Sequence, residues 1–467
     1  MPAHSIKDEM RLPQSPQTSL ELLTKAYLQA RAYVKGLDSK LVFPSKRDLA
    51  ALELFDEPMP VGGHKDTATL ALLDRVGGPA SVASTGGRYF GFVTGGVLPV
   101  AMAANWMAGY WDQNAAMDVM SPVAAKLEKV SGGWLKSMLE LPSESEVSFV
   151  TGASMASFTA IAAARDELLA RQGWDLQEKG LFGAPSIRVI VSAETHVTVL
   201  KSLALLGFGQ EQLEVVPVDQ QGRILIDAMP KLGPNCLVLC QAGNVNSGAF
   251  DDVASIMSRA NQAWVHVDGA FGLWAQLVPE LSHYLDGVEQ ADSWSVDGHK
   301  WLNVSYDCGI AIIRNGEALR NAFSAQAAYL RAGGVSQAKD GVPEFSRKAR
   351  GIEVWAALRT LGRDGMADLV RRNCAQARAF AVGLQEIGYS VLNEVVLNQV
   401  VASIGDAVQM QQIQKLVEQD GMCWFGLTNW QGHDAFRISV SSWATTDQDV
   451  EKSLQSIRQS TEKVIKN

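Results

Sequence analysis

Six short apolar runs between residues 145 and 315 constrain the fold of this chain more than any other feature. They are rich in β-branched side chains, and stretches with helical spacing separate them. They occupy residues 147–150, 187–191, 213–216, 236–239, 264–267 and 309–313. Runs of this kind between helices are typical of a largely parallel sheet with helices on both faces. We therefore predict a large α/β domain, in which ligands bind beyond the carboxyl ends of the strands.

The sequence on either side of this region predicts two further parts. Residues 1–75 are polar, with apolar residues at helical spacing, and indicate a helical arm that packs on a second subunit or on its own chain. Beyond Pro343 the pattern predicts a smaller α+β domain. Its predicted elements are helices at 352–361 and 364–388, strands at 400–404 and 436–440, and a last helix capped by Thr446. The predicted boundaries are 1–85 for the arm, 86–342 for the large domain and 343–467 for the small domain.

Composition argues against several classes of partner. The net charge is −9 and the chain has no basic cluster, so we expect no nucleic-acid partner. No apolar run approaches the roughly 20 residues of a membrane span, and the first residues lack the features of a signal peptide. We therefore expect a cytoplasmic protein. The 5 cysteines are scattered and none has a histidine at zinc spacing, so neither a disulfide framework nor a metal site is expected.

Lys300 and Asp268 lie in apolar surroundings, where an unpaired charge is costly. Lys300 lies in Ser-Val-Asp-Gly-His-Lys-Trp-Leu (295–302), between apolar segments. Burial favours the neutral amine, the form that condenses with an aldehyde, whereas a solvated surface lysine is the ordinary alternative. Asp268 ends the run that begins at Trp264, where an unpaired carboxylate is costly. Its partner is therefore either a protonated pyridine nitrogen or an arginine.

The turn Thr-Gly-Ala-Ser-Met-Ala (151–156) joins an apolar run to a helical stretch. The backbone N–H groups and the hydroxyl at such a helix start suit an anion such as phosphate. The spacing Gly152-x-Ser154-x-Ala156 also approaches the nucleophile elbow of serine hydrolases, but the second glycine is missing.

The predicted strands indicate roles for two histidines, His196 and His266. His196 comes directly after the run 187–191, where an imidazole can stack on a planar cofactor, move a proton or cap the next helix. His266 alternates with Val265 and Val267, which predicts a packed strand residue.

Taken together, these motifs resemble the pyridoxal-phosphate-dependent decarboxylases of the aromatic amino acid, glutamate and histidine decarboxylase group. The resemblance runs from about Arg88 to the C-terminus, and the lysine segment is its most specific part. The matching segments are Arg-Tyr-Phe-Gly-Phe (88–92), Trp-Leu-Lys-Ser-Met-Leu-Glu-Leu-Pro (134–142), Thr-Gly-Ala-Ser (151–154), Glu-Thr-His (194–196), His-Val-Asp-Gly-Ala (266–270), Asp-Gly-His-Lys-Trp-Leu (297–302) with Asp-Cys (307–308), and Ser-Arg-Lys-Ala-Arg (346–350).

The resemblance implies an aspartate-aminotransferase-like fold (fold-type I), pyridoxal 5'-phosphate as cofactor, and a homodimer with shared active sites. It also implies a role for eight residues. Lys300 forms the Schiff base, Asp268 pairs with the ring nitrogen, His196 stacks on the ring, Ala270 packs under it, Ala153, Ser154 and His299 hold the phosphate, and Asn244 lies in a loop on the cofactor or substrate side.

The leading functional prediction is decarboxylation of an L-amino acid to the amine and carbon dioxide. An aldehyde-forming decarboxylation-deamination, a carbon–carbon lyase and a non-catalytic scaffold are the alternatives. The aldehyde-forming reaction is kept open because of a missing tyrosine. The family carries a tyrosine, thought to protonate the substrate carbon, in a loop that corresponds to residues 333–345 here, and these residues contain no tyrosine. Tyr329, His196 or a water are the candidate donors, and the sequence does not identify the substrate.

Overall fold

The computed structural model describes residues 16–324 and 337–465, and in these residues eleven strands form two sheets. The strands are β1 (Glu146–Val150), β2 (Arg188–Ser192), β3 (Leu213–Val216), β4 (Cys236–Gln241), β5 (Trp264–Asp268), β6 (Ser293–Asp297), β7 (Gly309–Ile313), β8 (Ser390–Val391), β9 (Gln399–Ser403), β10 (Gly426–Trp430) and β11 (His433–Ser439). The α-helices are α1 (Pro16–Gly36), α2 (Lys46–Ala50), α3 (Asp66–Leu72), α4 (Gly78–Ala80), α5 (Pro99–Trp111), α6 (Pro122–Met138), α7 (Ala153–Ala170), α8 (Leu176–Lys179), α9 (Val197–Leu205), α10 (Val253–Arg259), α11 (Pro279–Ser282), α12 (Gly316–Phe323), α13 (Gly351–Ile387), α14 (Ala407–Asp420) and α15 (Asp447–Ile465).

The large sheet has seven strands in the order β1-β7-β6-β5-β4-β2-β3. Only β7 runs antiparallel to its neighbours, so the prediction of a largely parallel sheet is confirmed. All six residues of β4 are buried, because helices cover both faces of the sheet centre. All six strands predicted for this sheet are present.

The seventh strand, β6, was not predicted. Its sequence is Ser-Trp-Ser-Val-Asp, which lacks a continuous apolar run, yet all five residues are buried. The two serine hydroxyls tolerate burial because they have partners: Ser293 Oγ accepts a hydrogen bond from Trp264 Nε1, and Ser295 Oγ donates to Asp268.

The small sheet has four strands in the order β10-β11-β9-β8, packed against α13 and α14. Helix α13 joins the two helices predicted at 352–361 and 364–388. Gly362, with φ 62° and ψ −174°, interrupts its helical geometry between them. The cap predicted for the last helix is confirmed, since Thr446 Oγ1 accepts a hydrogen bond from the backbone N–H of Asp449 at 3.2 Å.

The segment before α5 reaches from the small sheet to the large domain. Arg88 donates to the carbonyl of Met422, and the backbone N–H of Leu98 donates to the carbonyl of Asn303. Phe92 and Val93 adopt positive φ values of 55° and 60°, which turns the chain at the mouth of the cavity described below. Within residues 16–324 and 337–465, no helix is long and apolar enough to cross a membrane.

Candidate functional site

A cavity of about 290 Å³ lies at the carboxyl ends of the large sheet's parallel strands. Its walls come from the residues that follow β1, β2, β4, β5 and β6, which is where ligands bind in open α/β sheets. The lining residues are Phe92, Val93, Gly152, Ala153, Ser154, His196, Thr198, Gln241, Gly243, Val245, Asp268, Ala270, Phe271, Asp297, His299, Lys300 and Arg437.

Lys300 follows β6 and extends into this cavity with 17% of its side chain exposed. Its Nζ lies 3.1 Å from Asp297 Oδ2 and 5.9 Å from the centre of the Phe271 ring. The other oxygen of Asp297 accepts a hydrogen bond of 2.6 Å from the backbone N–H of Ala153, the first residue of α7. Asp297, which is buried, therefore fixes the amine relative to the start of that helix.

Asp268 is the last residue of β5, and neutral donors hold its carboxylate. Oδ1 accepts hydrogen bonds from the backbone N–H of Ala270 at 3.1 Å and from Ser295 Oγ at 3.3 Å. Ser157 of α7 donates in turn to Ser295. None of these donors is charged, so they leave the carboxylate available to pair with a cationic ligand in the cavity.

His196 caps the next helix, which is one of the roles that its position predicted. It is the N-cap of α9, where its Nδ1 lies 2.6 Å from Thr198 Oγ1 and accepts from the Thr198 backbone N–H. The ring also lines the cavity. Burial lowers the pKa of His196, an effect opposed by Asp268 and reinforced by Lys300, so the imidazole is neutral at physiological pH.

His299 precedes Lys300 and lies on the α7 side of the cavity. Its Nδ1 accepts from the backbone N–H of Cys308 at 3.1 Å, and its Nε2 lies 3.5 Å from Asp297 Oδ1. The ring stacks on Tyr306 with 4.2 Å between the ring centres. Burial lowers the pKa of His299 despite the neighbouring carboxylate.

Arg437 of β11 brings the small domain to the cavity. Its guanidinium contacts the carbonyl of Val245 at 3.5 Å, and no carboxylate pairs with it among the residues the structure describes. Burial lowers the pKa of Arg437. A half-buried arginine without a carboxylate partner among the described residues is suited to bind an anion that enters the cavity.

Seven of the eight site residues predicted from the sequence line this cavity: Ala153, Ser154, His196, Asp268, Ala270, His299 and Lys300. Asn244 does not line it. Its buried Oδ1 accepts from the backbone N–H groups of Asn246 and Ser247 and so shapes the loop after β4. Sequence reasoning missed Asp297, although its position three residues before Lys300 in the same motif was a usable signal. It also missed Phe92, although the segment 88–92 carries part of the resemblance, and Arg437, which has no local signal.

Comparison with known proteins gives a consistent result. Residues 84–404 match the family model described as Pyridoxal-dependent decarboxylase conserved domain. An aromatic-L-amino-acid decarboxylase of Bacillus atrophaeus is 30% identical over 292 residues, which cover 59% of this chain and 58% of that protein. A 4-hydroxyphenylacetaldehyde synthase of Rhodiola rosea is 31% identical over 280 residues, which cover 56% of each chain. The chain thus spans less than two thirds of the length of these relatives.

A solved structure extends the similarity over nearly the whole chain. The crystal structure of Oryza sativa TDC with PLP and tryptamine superposes with a TM-score of 0.87 at 23% identity, covering 97% of this chain and 99% of that one. This similarity confirms the predicted aspartate-aminotransferase-like fold.

Proposed function

Because the chain belongs to the pyridoxal-dependent decarboxylase family, we propose that it decarboxylates an L-amino acid, releasing carbon dioxide and the amine. The observation that carries the proposal is the convergence of Lys300, Asp268 and His196 with the start of α7 on one cavity. The first two residues come from adjacent strand ends, and His196 comes from a third strand of the same sheet.

The residues of this cavity fit pyridoxal 5'-phosphate. Its aldehyde needs an accessible amine, which Lys300 offers, and its ring nitrogen needs a carboxylate, which Asp268 offers. Its phosphate needs backbone N–H groups at a helix start, which the 152–154 turn offers beside His299. A Cβ on Gly152 would lie 3.2 Å from His299 Cε1, so the glycine allows the His299 ring to lie close to this turn.

When bound, pyridoxal 5'-phosphate would supply an electron sink for the decarboxylation of the substrate. Asp268 holds a positive charge on the ring nitrogen, which strengthens that electron withdrawal. The neutral imidazole of His196 faces the cavity and is able to move a proton. Arg437 binds a carboxylate of the amino acid and orients the molecule, while Phe92 and Phe271 limit access of water.

A panel of L-amino acids tests the proposal, with carbon dioxide, amine and aldehyde each quantified. The proposal predicts one equivalent of carbon dioxide per amine for one class of substrate, and loss of turnover in Lys300→Ala. Purified protein that retains its cofactor and releases no carbon dioxide from any amino acid would favour the non-catalytic alternative.

A second candidate activity is oxidative and forms an aldehyde. It consumes one amino acid, one O₂ and one water, and releases aldehyde, carbon dioxide, ammonia and hydrogen peroxide. Two observations favour testing it: residues 333–345 contain no tyrosine, and the matched relatives include an aldehyde synthase. Tyr329 and the glycines at 333 and 334 lie outside the described residues. Peroxide formed in proportion to carbon dioxide would establish this activity, and amine formation without peroxide would exclude it.

We also propose that the chain acts as a homodimer with shared active sites. Four large apolar side chains on α5, namely Trp106, Met107, Tyr110 and Trp111, are exposed in the single chain. Next to them a groove of about 790 Å³ lies between α1, α3 and α5. An exposed apolar surface of this kind supports burial against a second copy.

We also propose that the protein is cytoplasmic. All five cysteines are free and buried, which suits a reducing compartment. Cell fractionation with antibody detection tests it, and recovery in a membrane or secreted fraction would contradict it.

A further inference from the structure

A second, much smaller cavity lies behind the site, between the imidazole of His266 and the carboxylate of Asp268. Its volume is about 10 Å³, close to the space that one water requires. His266 and Asp268 point to the same face of β5, because side chains alternate along a strand. The remaining lining residues are Ser192, Thr195, His196, Val199, Leu239, Cys240 and Gln241.

The hydrogen bonds around His266 determine which ring nitrogen carries its proton. Nδ1 lies 3.0 Å from Ser293 Oγ, and Trp264 Nε1 donates to the same oxygen at 2.9 Å. An indole N–H can only donate, so Ser293 Oγ accepts from Trp264 and has its own proton to give to His266 Nδ1. No other acceptor for this hydroxyl is found in the described part of the chain. The Ser293 hydroxyl therefore favours the tautomer in which Nδ1 accepts and Nε2 carries the imidazole proton.

His266 stays neutral because burial lowers its pKa to about 4. The side chain is completely buried, and within residues 16–324 and 337–465 its Nε2 has no hydrogen-bond partner. A buried N–H donor without an acceptor is costly, and the small cavity is the space in which that acceptor fits.

We propose that one internal water occupies this cavity, accepts from His266 Nε2 and donates to the Asp268 carboxylate. His266 then acts as a positioning residue for Asp268. The water adds a neutral donor to Ala270 and Ser295, which already hold the carboxylate. A cationic histidine would compete with a protonated ring for the charge of Asp268, whereas a neutral one orients that carboxylate without weakening its charge. The inference rests on the proposed role of Asp268 toward the ring nitrogen.

A high-resolution crystal structure of the cofactor-loaded protein tests the water directly. The expected result is an ordered water within hydrogen-bond distance of both His266 Nε2 and an Asp268 oxygen. A dry cavity, or an Nε2 bonded to a protein group instead, would overturn the proposal.

Variants test whether the water acts on the cofactor, with the ¹⁵N resonance of pyridine-labelled pyridoxal 5'-phosphate and cofactor affinity as readouts. His266→Phe removes both ring nitrogens. It should move the resonance toward that of the unprotonated ring and weaken cofactor binding about 5-fold, the effect of one lost hydrogen bond. His266→Gln, which keeps an N–H donor, should stay close to wild type.

Ser293→Ala provides a second test if His266→Phe fails to fold. It removes the hydroxyl that makes Nδ1 the acceptor, so the imidazole proton is no longer fixed on Nε2. The ¹⁵N resonance should therefore shift in the same direction as in His266→Phe. Asp268→Asn separates this inference from the proposed function. A resonance that moves in Asp268→Asn but in neither the His266→Phe nor the Ser293→Ala protein overturns the role of His266 alone. An unchanged resonance in Asp268→Asn would instead overturn the role of Asp268.

Discussion

Asp268 is the residue whose charge the proposed chemistry depends on most. Asp268→Asn keeps the size and most hydrogen bonds of the side chain but removes its charge. We expect kcat to fall about 100- to 1,000-fold, the usual cost of losing one preorganised electrostatic partner. Asp292→Asn is a matched control, because Asp292 accepts from the Val265 backbone at the opposite end of the same strands. Asp268→Asn activity within a few-fold of the control would make Asp268 a structural residue.

His266 gives a pH prediction of its own. Its pKa is about 4 in the folded protein, against about 6.5 in an unfolded chain. The unfolded state therefore binds more protons between these values, and the stability present above pH 6.5 is lost as the pH falls toward 4. His266→Gln lacks this group, so wild type should lose about 2 to 3 kcal/mol more unfolding free energy than the variant between pH 7 and pH 4.5.

Urea unfolding of both proteins at the two pH values measures this difference. Other buried titratable groups, such as Asp251, are common to both proteins and cancel. Equal pH dependence in wild type and variant would show that His266 is not held neutral by burial.

At the residue scale, the sequence predicted those site residues that follow an apolar strand. Asp268 and His196 were found in this way, because the carboxyl ends of parallel strands converge at one edge of the sheet. Lys300 follows β6, which was not predicted, and was found from its apolar flanks and its motif instead. Arg437 could not be found, since it reaches the cavity from β11 of the small sheet, and the sequence of that strand contains nothing that points to a ligand. Tertiary packing alone brings it to the site.

The contact between β7 and the turn before α7 is the element-scale feature on which the phosphate site depends. A Cβ on Gly309 would lie 2.3 to 2.5 Å from backbone atoms of Gly152, so Gly309→Ala must displace the turn. We expect cofactor affinity to fall more than about tenfold, or ~1.4 kcal/mol. A cofactor titration followed by absorbance measures it.

Gly133→Ala is the control, because a Cβ on this helical glycine meets nothing within 4 Å. It should leave cofactor affinity unchanged and should not destabilise the protein. Equal affinity in the Gly309→Ala and Gly133→Ala proteins would show that the turn tolerates displacement.

The strands that were predicted are those whose buried residues are apolar. Strand β4, with Cys-Leu-Val-Leu-Cys-Gln, is an example. Strand β6 was missed because its serines are buried through hydrogen bonds to Trp264 and Asp268, which are distant in sequence. The two-residue β8 is too short to produce a pattern.

At the scale of the whole molecule, the proposed dimer predicts a solution mass of twice the 50.4-kDa chain mass. Tyr110 is 59% exposed in the single chain, and Tyr110→Glu should shift the population to monomer and weaken cofactor binding if the sites are shared. Light scattering after size exclusion measures both proteins. Phe182→Glu is the control, since Phe182 is 99% exposed and lies in the loop between α8 and β2. A monomeric wild type would contradict the dimer.

The attachment of the cofactor to Lys300 is the central claim, and reduction with borohydride tests it most directly. The holoenzyme is reduced, digested and analysed by mass spectrometry. We predict one pyridoxyl group per chain, located on Lys300, and no stable label on Lys300→Ala protein that still binds the cofactor reversibly. A label on a different lysine, or none on a protein that has bound the cofactor, would contradict the account.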